Sequence, residues 1–323
     1  MEARNSKTIE KGIKVAAIAG LLNVSEVMNI SLPLTTMSRF AAEQLLTRAF
    51  DSLNVTKTRP EQPAIEESSA FICGTWDENR PVAGWSSRSI TAKATVFFCH
   101  GFMGHSMDEW ILREAEAAMR LGCSVISLDF RYHGRSHRRV PTFGTAEMWD
   151  IQAALQWAER QNFPKPFILV GFSLGAMAAG RTAICDERVA AAFLISPPAW
   201  PWDAIGTGFA DQGWRKLVWL GQLINVAYDG WDVLGDGDLR RHNAYPIHRP
   251  RICYAMGDRD QYGSGKTRMV FNHWYGADSG GKVSGPSQQP EAQKWWIDLD
   301  CDHNSAPDHS SGILSDFLRT VLP

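Results

Sequence analysis

The first residue in this chain able to do covalent chemistry in a suitable setting is Ser173, in the run Gly171-Phe172-Ser173-Leu174-Gly175. The apolar stretch Phe167–Val170 precedes it and the small residues Ala176–Ala179 follow, so a buried strand turns into a helix at the serine. Glycines on both sides of so sharp a turn let strand and helix approach each other. The serine is lifted clear of the backbone, above the free N–H groups of the new helix. An ordinary serine in a strand-to-helix turn is the bland alternative. A serine hydroxyl is a weak nucleophile by itself; it needs a base, an acid to orient the base, and donors for the oxyanion that attack creates.

Candidates for those partners follow other apolar runs. Thr95–Cys99 ends in His100-Gly101-Phe102-Met103-Gly104, and Ser124–Leu128 ends in Asp129-Phe130-Arg131-Tyr132-His133-Gly134-Arg135-Ser136. Arg251–Met256 ends in Gly257-Asp258-Arg259-Asp260, and Lys294–Leu299 ends in Asp300-Cys301-Asp302-His303-Asn304-Ser305. Between these runs, Met107–Leu121, Thr145–Gln161 and Leu174–Ile184 read as crossover helices, with Ile313–Val321 closing the domain. Ala70–Trp76 and Pro81–Trp85 flank a turn and read as an opening β-hairpin. Strands alternating with helices predict an α/β fold with a mostly parallel sheet and helices on both faces.

The five segments HGFMG, DFRYHGRS, GFSLG, GDRD and DHNS, in this order, resemble the α/β-hydrolase superfamily from about Phe71 to the C-terminus. The resemblance implies an eight-stranded sheet and a catalytic triad in the order Ser173, Asp260, His303. It also implies an oxyanion hole made by the backbone N–H groups of Phe102 and Leu174. Asp258 competes with Asp260 as the acid, but the family uses the second Asp of G-D-x-D. His309 competes with His303 as the base, although His303 follows its strand directly. His100 is expected to support the oxyanion loop, Asp129 and Arg131 to pair with each other, and Asp302 to bond local loop backbone. A serine at the turn disfavours the branches of the family that attack with aspartate.

By the same resemblance, the stretch after the sixth strand, about 198–248, is a cap inserted over the site. It holds five tryptophans, Trp200, Trp202, Trp214, Trp219 and Trp231, and the first four are candidates for lining a substrate pocket. The bland reading is that they hold the cap together. Residues 1–60 fall outside the resemblance, and 61–323 make up the hydrolase domain. Met37, Phe40, Ala41, Gln44, Leu45, Ala49 and Leu53 recur with helical spacing, predicting an amphipathic helix over Thr36–Leu53. This N-terminal helical arm is expected to pack on the hydrolase domain or on a second copy of the chain as a homodimer contact. Lys11 and Lys14 before Val15–Leu22 faintly resemble a signal peptide, but the apolar run is short and has no clear cleavage site.

Composition narrows the partners. The chain has 323 residues, 44% hydrophobic and 21% charged, with a formal net charge of −2. That balance gives no electrostatic reason to expect nucleic acid, and the apolar run is too short to span a membrane. Arg131, Arg135, His137, Arg138 and Arg139 form a local basic cluster, read as a solvated loop or else as a contact for an acidic substrate. The six cysteines are scattered singly, which fits a reducing, cytoplasmic setting and neither a disulfide framework nor a zinc site. The expected function is hydrolysis of a small carboxylic ester or thioester with a hydrophobic acyl or aromatic part, requiring no metal or organic cofactor. Acyl transfer and C–C bond hydrolysis on the same triad stay open, as does a ligand receptor or scaffold on this fold.

Overall fold

The computed structural model describes residues 39–52, 68–75, 80–200, 224, 227–228, 249–262, 264–275 and 285–323. At its centre is an eight-stranded sheet in the order β1-β2-β4-β3-β5-β6-β7-β8. β1 (Ser68–Gly74) and β2 (Pro81–Ser87) form an antiparallel hairpin in which Gly74 faces Pro81. β2 also runs antiparallel to β4 (Cys123–Leu128). From β4 through β3 (Ala94–Cys99), β5 (Phe167–Phe172), β6 (Val189–Ile195), β7 (Arg251–Gly257) and β8 (Lys294–Leu299), every neighbouring pair is parallel. The order reverses at β3, which has β4 on one side and β5 on the other. In such sheets the crevice beyond the strand ends at the reversal is where ligands bind.

The central strands are mostly apolar because both faces of the sheet are covered, and their buried Thr95, Ser124 and Ser127 hydroxyls donate to backbone carbonyls. Alternation sends Phe97, Ile126 and Leu169 to one face, and Val96, Phe98, Val125, Ile168 and Val170 to the other. The first face is covered by α3 (Glu147–Arg160) and α4 (Leu174–Cys185), through Ile151, Ala154, Ala178 and Ala179. The second is covered by α2 (Glu109–Arg120) and α6 (Ala306–Val321), through Ile111, Ala115, Leu314 and Phe317. Helix α1 (Arg39–Ser52) places Ala42 and Leu46 in the first core, and Tyr132 donates from its hydroxyl to the Thr47 carbonyl at 2.7 Å. Residues 1–38 of the expected arm lie outside the described residues.

Two helices differ from the sequence pattern. α6 begins at Ala306, seven residues before the expected Ile313, because Pro307 falls in its first turn, where a missing N–H costs nothing. α5 (Ser264–Tyr275) was not anticipated in the stretch between β7 and β8.

The basic loop after β4 also departs from expectation. It is not a solvated charge cluster: Arg131 is fully buried, His137 and Arg139 are buried, and only Arg135 and Arg138 are exposed. Arg131 pairs with Asp150 of α3 rather than with Asp129. Its Nε and a terminal nitrogen donate to the two carboxylate oxygens at 3.0 and 2.7 Å, and its backbone N–H adds a third bond at 2.9 Å. Burial alone would raise the Asp150 carboxyl's pKa, but Arg131 and His137 beside it hold it at about 2. Asp129 instead accepts the backbone N–H groups of Ser106 and Arg135 at 2.8 and 2.9 Å, fixing the turn itself. Tyr228, which belongs to the segment between β6 and β7, accepts from Arg131 at 3.1 Å and is buried.

Candidate active site

The turn between β5 and α4 is held in an unusual conformation by close backbone approach. Ser173 has φ 53° and ψ −117°, a sparsely populated region that costs a non-glycine residue roughly 1–3 kcal/mol. Its surroundings leave little alternative. A methyl group on Gly175 would overlap the carbonyl oxygens of Cys99 and His100 at the end of β3, and one on Gly171 would overlap the carbonyl of Gly175. Ser173 N–H donates to the Ile195 carbonyl of β6 at 2.9 Å, which ties the turn to the neighbouring strand. Leu174 opens α4, so its N–H has no carbonyl within the helix to meet.

Two further strand ends bring a histidine and a carboxylate to this serine. After β8, His303 stands with Nε2 2.8 Å from Ser173 Oγ. After β7, Asp260 stands with Oδ2 2.7 Å from His303 Nδ1. A carboxylate oxygen accepts, so Nδ1 carries the proton and Nε2 presents its lone pair to the serine hydroxyl. The other oxygen of Asp260 accepts the Tyr262 N–H at 2.8 Å. The imidazole lies between two aromatic rings, Phe172 at 5.1 Å and Tyr262 at 4.4 Å between centroids. Tyr262 thus contacts both Asp260 and His303; nothing in the local spacing singled it out.

The competing candidates lie elsewhere. The Asp258 side chain is 49% exposed and accepts the Cys301 N–H at 3.2 Å, whereas the Asp260 side chain is fully buried. His309 lies exposed in the first turns of α6. Asp302 accepts the backbone N–H and hydroxyl of Ser305 at 2.9 and 2.7 Å, a local loop contact as expected.

The loop after β3 lies directly beside the serine, since a Cβ on Gly101 would be 3.5 Å from Ser173 Cβ. His100 donates from Nδ1 to the Gly101 carbonyl at 2.7 Å and accepts the Phe130 N–H at 3.0 Å, a supporting role and not a proton-transfer one. A cleft of about 750 Å³ runs along this loop, floored by Gly101–Gly104 and walled by Phe172, Trp110, Asn304 and Pro307. Trp110 of α2 was not among the expected pocket tryptophans. Of those, Trp200 is partly buried beside Ala199 and does not line this cleft, while Trp202, Trp214 and Trp219 lie outside the described residues, as does Trp231. Among the described residues, no three His, Cys, Asp or Glu side chains converge to hold a metal ion.

Residues 94–228 match the family model described as the alpha/beta hydrolase fold, a span that contains both Phe102 and Ser173. Together with the strand order this decides the fold. The chain has the α/β-hydrolase fold. Solved hydrolases of this architecture are similar over most of their length. Esterase Pf2001 from Pyrococcus furiosus is 19% identical, covers 83% of this chain and 98% of its own, and has a TM-score of 0.59. The alpha/beta hydrolase GrgF from Penicillium sp. sh18 is 14% identical over 79% of this chain and 97% of its own, with a TM-score of 0.57. Est1E from Butyrivibrio proteoclasticus, solved with ferulic acid bound, is 15% identical over 78% of this chain and 98% of its own, with a TM-score of 0.56. No curated protein matches this chain in sequence. Among the described residues, no helix is long and apolar enough to cross a membrane.

Proposed function

We propose that this chain is a serine hydrolase that cleaves a carboxylic ester or thioester carrying a hydrophobic acyl or aromatic group. The observation that carries the proposal is the unbroken hydrogen-bonded chain Ser173 Oγ–His303 Nε2 and His303 Nδ1–Asp260 Oδ2, at 2.8 and 2.7 Å. As Ser173 Oγ attacks the carbonyl carbon, its proton passes to His303 Nε2, and Asp260 stabilises the imidazolium. The Phe102 and Leu174 N–H groups receive the oxyanion, a donor of this kind being worth about 10²–10³ in rate. Collapse of the tetrahedral intermediate breaks the bond to the leaving alcohol or thiol, which takes the proton back from His303. Water, deprotonated by the same imidazole, then releases the acid and restores Ser173.

The aromatic walls of the adjacent cleft, Trp110 and Phe172, support an apolar or aromatic substrate portion. The similarity to Pf2001, an esterase, and to Est1E, which holds ferulic acid, supports the same substrate class. The test is labelling with a fluorophosphonate followed by peptide mass analysis, together with turnover of p-nitrophenyl esters of graded chain length. A mass shift on the Ser173 peptide and ester turnover lost in Ser173→Ala are expected. Folded protein that takes no label and turns over no ester refutes the proposal. Products in which an added alcohol takes the acyl group in preference to water would instead mark an acyltransferase.

A further inference from the structure

The loop that carries the Phe102 N–H is held by two histidines from different parts of the chain. The Gly101 carbonyl and the Phe102 N–H belong to one peptide unit. That carbonyl accepts twice, from His100 Nδ1–H at 2.7 Å and from the Gly104 N–H at 3.0 Å. The second bond closes a four-residue turn whose third residue, Met103, has φ 64°, as the third position of a type II turn requires. The next peptide unit, shared by the Phe102 carbonyl and the Met103 N–H, is held from its other end. Met103 N–H donates to Nε2 of His133, thirty residues further on, at 3.2 Å.

The chemistry of His133 is fixed by its neighbours. Nδ1 lies 2.8 Å from the Arg131 carbonyl, which only accepts, so Nδ1 carries the proton and Nε2 holds the lone pair that Met103 N–H needs. A second proton on Nε2 would set donor against donor. The ring is fully buried, 4.9 Å from the His100 ring and 5.7 Å from the Phe102 ring between centroids. Burial, and then the neighbouring His100, push its pKa down to about 3, so it stays a neutral acceptor through the working range of a hydrolase.

We propose that His133 is a positioning residue for the oxyanion loop: by accepting the Met103 N–H it locks the peptide that follows Phe102 and holds the Phe102 N–H in place beside Ser173. This rests on the assignment of Phe102 N–H as an oxyanion donor. Met103 is 39% exposed as a residue, so without its acceptor the N–H is free to turn toward solvent, and the fixed direction is lost. The loss therefore falls on the transition state, where an ångström of misplacement costs up to about a hundredfold, and not on substrate binding.

The experiment compares wild type with His133→Phe, which keeps a ring without an acceptor, and His133→Gln, whose Oε1 reaches the position of Nε2. On p-nitrophenyl butyrate, H133F is expected to lower kcat roughly 10- to 100-fold with KM within about threefold, and H133Q to recover most of the loss. With selective ¹⁵N-Met and ¹⁵N-Phe labelling, the Met103 and Phe102 amide resonances are expected to move in H133F and to return in H133Q. If H133F does not fold, His133→Asn, too short to reach Met103, takes its place with the same expected loss. Wild-type kcat in H133F, equal losses in H133F and H133Q, or unmoved Met103 and Phe102 amides would each overturn the proposal. Wild-type protein that neither hydrolyses esters nor labels at Ser173 defeats the underlying hydrolase assignment instead, and the amide spectra still report whether His133 holds the loop.

Discussion

The sharpest test of the proposed charge relay is Asp260→Asn, because the two oxygens of Asp260 face two different donors. Oδ2 accepts His303 Nδ1–H at 2.7 Å and Oδ1 accepts Tyr262 N–H at 2.8 Å. An asparagine can satisfy only one of them. If its oxygen faces Tyr262, its NH₂ faces His303 Nδ1, which must then accept; the imidazole proton moves to Nε2 and the base toward Ser173 is gone. If its oxygen faces His303, the NH₂ and the Tyr262 N–H oppose each other in a buried site, at about 1–3 kcal/mol. In both cases the negative charge beside the transition-state imidazolium is lost. At an effective dielectric constant of about 20, two unit charges some 4 Å apart attract by roughly 4 kcal/mol, which corresponds to about 10³ in rate. Adding the tautomer penalty brings the expected loss in kcat to about 10³–10⁴-fold, with KM little changed. The assay is steady-state hydrolysis of p-nitrophenyl butyrate, with circular dichroism to show that D260N is folded. Asp258→Asn is the control: its oxygen can still accept the Cys301 N–H, and kcat is expected within about twofold of wild type. A folded D260N that keeps more than about a tenth of wild-type kcat would refute the assignment of Asp260.

Three other outcomes follow from the packing and the buried charges. Gly175→Ala must push the first turn of α4 away from the carbonyls of Cys99 and His100, so it is expected to destabilise the fold by about 1–3 kcal/mol and to disturb Ser173, read by chemical denaturation and by fluorophosphonate labelling rate. Arg131→Met takes the guanidinium from the fully buried Asp150 carboxylate and leaves it the residue 131 N–H and the nearby His137, an expected loss of about 3–5 kcal/mol and on the order of 10 °C in Tm. Replacing Asp150 by Leu as well is expected to restore part of that loss, because no buried charge then remains without a partner. His133 binds no proton in the fold until about pH 3, whereas an ordinary histidine, as in the unfolded chain, does so near 6.5. Its contribution is therefore complete above 6.5 and is lost as pH falls toward 3, at about 1.4 kcal/mol per pH unit. H133Q should flatten the denaturation free energy against pH by about one proton across that window, and an unchanged slope would contradict a buried neutral His133.

Much of the candidate site was legible in the sequence because of where α/β folds put their strand ends. Phe102, Ser173, Asp260 and His303 each follow a strand within a few residues, and the strands are apolar runs that local pattern finds. The glycines at 171 and 175 signal the tight turn for the same local reason. Tyr262 and Trp110 carried no such signal. One matters only because its backbone N–H meets the far oxygen of Asp260, and the other because α2 packs its ring edge-on against Phe172 beside the cleft. The start of α6 was missed because a proline reads as a breaker unless the first helical turn is already known.

The buried charges of the loop after β4 were illegible for a different reason. Sequence pattern treats a run such as Arg131 to Arg139 as solvated, since an isolated charge loses too much by leaving water. What reverses that expectation is a partner, and the partner is distant: Asp150 nineteen residues away on α3, and Tyr228 ninety-seven residues away in the segment after β6. Only the fold brings them together, and a bidentate pair then satisfies both charges. The same loop supplies the Arg131 carbonyl that fixes the proton on His133, and His133 in turn holds the Met103 N–H. A change at Asp150 is therefore expected to reach the oxyanion loop through Arg131 and His133, with no direct contact to Ser173. Comparing Asp150→Asn with H133F by the Met103 amide resonance separates the two effects. A shift in the same direction in both variants marks one connected unit, and a Met103 signal that stays put in D150N confines the ion pair to stability.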